Sequence, residues 1–216
     1  MTDQAFQFVT ASYITRVEHQ RATNLTELIG CLESAEDGAI FYHTFQTLRR
    51  YHFLTERFSN DFAQWVLASL NQAELAEQLA GIDVRDYVSI EELRADLRRT
   101  VLEFCDGNPK EALRTAFEPL HFLSATSVTL PLAWDARTLA GFRAGLERLS
   151  HASFYHHFIA SRLRLQLRTN DFSHWFSTAL GLENLAARAN AIDIYTNTLD
   201  TARAQLIALV DREVGG

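Results

Sequence analysis

A chain of 216 residues that is 47% hydrophobic and 22% charged has the composition of an ordinary globular protein, long enough for one domain or two small ones. Its net charge of −7 argues against a nucleic-acid surface, which normally requires a basic face. Two cysteines, no secretory leader pattern at Met1-Thr2-Asp3-Gln4 and no apolar run of membrane-spanning length point to a reduced, cytoplasmic protein without a membrane segment.

Taken in order, Phe6-Gln7-Phe8-Val9 alternates briefly and reads as extended, or as the approach to a helix starting at Thr10. Asn24 and Glu27 form a capping box, and Leu25, Leu28, Ile29 and Leu32 make the apolar stripe of the helix that follows. A second helix carries Phe41, Phe45, Leu48 and His52 on one face and fades near Glu56-Arg57-Phe58-Ser59. Asn60 or Asp61 caps a shorter helix presenting Phe62, Trp65, Val66 and Leu70. Asn71 with Glu74, and Ser89 with Glu92, predict two further helices. Asp106-Gly107-Asn108-Pro109 is the clearest interruption, a turn with proline placed to open a helix. Beyond it Pro131 breaks the pattern, Thr138 stands ready to cap Leu139, Phe142 and Leu146, and a last helix runs from Thr198 to Val210.

Much of this occurs twice. Phe41-Tyr42-His43-Thr44-Phe45 returns as Phe154-Tyr155-His156-His157-Phe158, and Asn60-Asp61-Phe62-Ala63-Gln64-Trp65 as Asn170-Asp171-Phe172-Ser173-His174-Trp175. Phe8, Leu25 and Leu32 answer to Phe122, Leu139 and Leu146. Matching blocks in one order mark an internal duplication. The expected architecture is therefore all-α: two tandem helical repeats, residues 1–107 and 108–216, fused into one compact domain about a pseudo-two-fold axis.

The chemistry-bearing candidates are the duplicated Tyr-His pairs. If the helices of Tyr42-His43 and Tyr155-His156 lined the axis, His43 and His156 could converge on a ligand, with Asp61 or Asp171 nearby. The bland alternative is that each imidazole packs among phenylalanines and bonds a backbone group. His157 follows His156 directly, about a hundred degrees further round a helix, which hinders joint chelation. Asp61 and Asp171 read more readily as helix caps than as acid–base groups, and Trp65 and Trp175 as core. No metal-ligand spacing, nucleophile elbow, dinucleotide fingerprint or phosphate loop occurs, so neither a metal nor a cofactor is expected.

On these residues the chain resembles an uncharacterised bacterial group, domain-of-unknown-function family 5752, from about Phe6 to Val210. In that family the first copy often reads Tyr-His-Thr-His, whereas Phe45 stands here at the second histidine. The resemblance implies a helical cytoplasmic protein and supplies no reaction. Two functions are expected from the residues: a binding or assembly module that docks a protein partner or a second copy, or a metal- or small-polar-ligand site, with enzymatic activity conceivable, at the Tyr-His pairs.

Overall fold

The computed structural model of the protein describes residues 4–46 and 58–215. Leu48, His52 and, of the expected helix end, Glu56-Arg57 lie outside them, while Phe58 and Ser59 are not helical. The all-α expectation is corrected here. Two strands of 17 residues each, β1 (Phe6–Ala22) and β2 (Leu120–Ala136), form a two-stranded antiparallel sheet, and the fold is mixed α/β. Each strand is buried near its ends, at Phe6, Phe8 and Ala22 and at Leu120, Phe122 and Ala136, while Val17 is 72% exposed between them. A strand without one continuous buried face lacks the period-two alternation by which strands are read. Pro131 is tolerated in β2, since each strand of a two-stranded sheet has an edge where a missing N–H leaves no ladder bond unmade.

Helices fill the remainder: α1 (Leu25–Ser34), α2 (Asp37–His43), α3 (Asp61–Leu70), α4 (Ala73–Ala80), α5 (Ile90–Gly107) and α6 (Pro109–Ala112) precede β2. After it come α7 (Leu139–Arg148), α8 (His151–Tyr155), a π turn (His156–Ala160), α9 (Ser161–Leu165), α10 (Asp171–Thr178), α11 (Glu183–Asn190) and α12 (Leu199–Val214). The chain divides into two compact units. Unit 1 comprises Met1–Tyr13 and Ser127–Gly216, and unit 2 comprises Ile14–Thr126. This division differs from the sequence repeats at 1–107 and 108–216. Each unit takes strand halves from both repeats, and unit 2 also takes the short α6 from the second.

Local rules placed most helix starts. The Asn24 side chain accepts the Glu27 N–H at 2.8 Å, while the Glu27 carboxylate takes the Thr23 N–H at 2.7 Å. Ser89, Thr138 and Thr198 cap α5, α7 and α12 by accepting the N–H three residues on. Asn71 does not open α4 as expected. It closes α3 in the left-handed conformation at φ 54°, with its N–H on the Leu67 carbonyl, a geometry asparagine tolerates better than most residues. Gly181, at φ +69°, follows α10 at the corresponding place.

In unit 2, α5 buries Leu93, Leu97, Val101 and Phe104 along one stripe. Arg94, 8% exposed, donates to the Leu32 and Ala35 carbonyls at 2.8 and 2.6 Å and to Asp37 at 2.6 Å, satisfying the open end of α1. Unit 1 is centred on Phe142 of α7, whose ring stacks on Trp175 at 5.4 Å and meets Phe6, Phe172 and Phe176 edge-on. Gly145, one turn on, admits the Phe8 ring: a Cβ there would stand 2.4 Å from its Cζ.

Candidate functional site

Asn60 and Asn170 cap α3 and α10, accepting the Ala63 and Ser173 N–H groups at 2.9 Å each. The cap therefore belongs to the asparagines, and the aspartates beside them do something else. Asn60 is 2% exposed and also donates to the Leu79 carbonyl at 2.9 Å, so Asn60→Ala should lower stability by about 1–2 kcal/mol in denaturant titration. Asn60→Asp retains the acceptor and loses the donor, and should fall between. An alanine variant as stable as wild type would refute the cap.

Asp61 Oδ2 lies 2.9 Å from His43 Nδ1, and the Leu123 N–H donates to His43 Nε2 at 3.0 Å. A ring nitrogen that accepts a backbone N–H carries no hydrogen, so the proton sits on Nδ1 and is donated to the carboxylate. The same arrangement occurs in unit 1. His157 Nδ1 is 2.7 Å from Asp171 Oδ2, and its Nε2 accepts the Val9 N–H at 3.0 Å. Both imidazoles are 3% exposed. Each thus clasps a strand to its helices, with both ring nitrogens committed to that work. Trp65 and Trp175 reinforce the clasp: their indole N–H groups donate to the carbonyls of Glu118 and Gln4, at 2.7 and 2.8 Å, just before each strand.

The counterpart of His43 is consequently His157, and that of Tyr42 is His156. The sequence pairing of His43 with His156 slips by one residue. The spacing that relates Leu25 to Leu139 and Leu32 to Leu146, carried forward, pairs His43 with His157 and was the signal available. Convergence of His43 and His156 on one ligand draws no support from this bonding, since His43 is engaged by Asp61 and Leu123. Tyr42 and Tyr155 are buried at 7% and 0% exposure, and Tyr155 meets the Tyr13 ring edge-on at 5.6 Å.

The π turn has a consequence at His156 and His157. Their rings stand 5.3 Å apart at 80°, and both line a cleft of about 580 Å³ in unit 1. π turns of this kind recur at functional sites. Phe6 and Trp175 supply apolar wall, and Asp171 and His174, one turn apart on α10, complete the helical side. Gln7, Ser127 and Thr129 bring an amide and hydroxyls from the strands, and Gln4 brings an amide from just before β1. Sequence reasoning missed them because β2 was not read as a strand and β1 was read only as a brief extended stretch at Phe6–Val9. The His174 imidazole makes no hydrogen bond among the described residues, and in α3 its place is taken by Gln64.

Other groups offer less chemistry. Burial pushes the Cys31 and Cys105 thiols up, away from the thiolate a nucleophile needs. The Arg162 guanidinium, 2% exposed, donates to Asn190 at 2.9 Å. Among the described residues no group of three or more His, Cys, Asp or Glu side chains is placed to hold a metal ion, and no helix is long and apolar enough to cross a membrane.

Fold and site together define a two-unit α/β protein in which a buried histidine–aspartate pair ties a strand to each helical unit. The chain belongs to a family of unknown function, DUF5752, whose model matches residues 3–211. It is similar to a solved structure titled "The structure of OrfY from Thermoproteus tenax", at 27% identity and a TM-score of 0.85, covering 99% of this chain and 97% of that one. No curated protein matches it.

Proposed function

We propose that the protein is a binding protein rather than a catalyst, and that the cleft of unit 1 holds a small polar ligand. One observation carries the reading: the cleft gathers His156 and His174 at positions where the first copy has Tyr42 and Gln64. Its volume of about 580 Å³ falls in the range of small-molecule sites. The histidine–aspartate clasps supply rigidity, with Asp171 and His157 forming part of the wall, while His43 and Asp61 do the same structural work in unit 2. A thermal-shift screen of a metabolite library on wild type and His174→Gln tests it. A ligand at a hundred times its Kd should stabilise wild type by about 2.7 kcal/mol and the variant by less. A library in which no compound distinguishes the two proteins would sink the reading.

A second reading, docking to a protein partner or another copy, is favoured by the segment after α6. Leu113 and Phe117 are 68% and 87% exposed there. The backbone is nevertheless pinned, with the Ala116 and Phe117 N–H groups on the Thr23 and Ser69 carbonyls at 2.7 and 2.9 Å. Phe117→Ser should then reduce the mass of any complex seen by light scattering, and an unchanged mass would count against it. The setting we propose is cytoplasmic, in keeping with two free thiols, and the acidic net charge disfavours nucleic acid.

A further inference from the structure

Resting on the cleft as the binding site, we infer that its ligand is an uncharged, polyhydroxylated molecule of the size of a small sugar or polyol. Charge is the first argument. Among the described residues that line the cleft there is no lysine or arginine, so an anionic ligand would lose its hydration without gaining a fixed cation. The carboxylate in the wall, Asp171, is engaged by His157 at 2.7 Å, so a cationic ligand would have to compete with the bond that holds β1 in place. Neither sign of charge is catered for.

The wall chemistry is the second argument. Gln4 offers an amide, Ser127 and Thr129 offer hydroxyls and His174 offers an imidazole, while the Gln7 amide and the Thr178 hydroxyl donate to the Leu132 and His174 carbonyls and leave their oxygens to accept. The first four groups both donate and accept hydrogen bonds. A ligand that suits such a wall from several sides must itself both donate and accept at many points, which is the property of a hydroxyl. The apolar surfaces of Phe6 and Trp175 lie beside them, and a polyol ring presents C–H faces between its hydroxyls. Trp175 is 5% exposed and held by its bond to Gln4, so this apolar wall is rigid rather than adaptable. The first copy has Tyr42 and Gln64 in place of His156 and His174, so the two units are not expected to share the ligand.

Three pyranose probes vary the charge on one ring: glucose, glucuronate and glucosamine. Titrations are followed by imidazole resonances, with the His174 signal assigned by its loss in His174→Gln. Glucose is expected to move that signal and to bind at least tenfold more tightly than glucuronate or glucosamine. His174→Gln should weaken glucose binding at least tenfold with an unchanged melting curve, because Gln64 occupies that place on α3. If glucuronate or glucosamine moves the His174 signal at an equal or lower Kd than glucose, the uncharged class is overturned and the cleft stands as a binding site. If none of the three moves it, the polyhydroxylated class is overturned. The cleft reading falls only if the metabolite screen is blank as well.

Discussion

Asp171→Ala is expected to destabilise the protein by about 3 kcal/mol, a fall in Tm of roughly 6–12 °C for a chain of this size. The substitution removes the acceptor of the His157 Nδ1–H inside a wall where the imidazole is 3% exposed and the carboxylate 9%. A buried donor left without a partner forfeits its desolvation energy. The tautomer is then no longer held, and the bond from Val9 to Nε2 loosens with it. Asp171→Asn keeps an acceptor and should cost about half as much. Asp61→Ala should also cost less, because the Asp61 side chain is 18% exposed and water can reach the gap. Losses near 1 kcal/mol in both alanine variants, the size of a missing helix cap, would show that the aspartates serve only the helix ends.

Phe142→Ala is expected to cost about 4 kcal/mol, the largest single effect we anticipate. The ring has no exposed surface and touches five other aromatic rings, those of Phe6, Phe8, Phe172, Trp175 and Phe176. Rigid rings cannot collapse into the space it leaves, so the loss combines transfer energy with a persistent cavity. A lowered denaturant midpoint at unchanged slope is the expected signature. A cost below about 2 kcal/mol would mean that the cluster repacks, contrary to the clamped positions of Phe6 and Trp175.

The sequence exposed what is local. Helix starts at Asn24, Ser89, Thr138 and Thr198 follow from a side-chain oxygen within reach of an N–H three residues on, and no other part of the chain is needed to write that bond. The stripes of α1 and α5 were legible for a related reason: a helix packing one face on a core must repeat its apolar residues at the helical period. Asn71 shows the limit, since the same side chain suits the start of one helix or the left-handed end of another. Only the packing of α3 decided between them.

What the sequence determined by itself was therefore the recurrence of two blocks of residues and most helix starts. Tertiary structure decided three further things. It made strands of two segments whose alternation is weak because their middles are exposed. It gave His43 and His157 the same role, since each is the imidazole that reaches a strand N–H. And it turned a tandem repeat into units that each take strand from both copies. Those outcomes depend on bonds between residues 80 and 148 positions apart, Leu123 to His43 and Val9 to His157, and sequence neighbours carry no trace of such bonds.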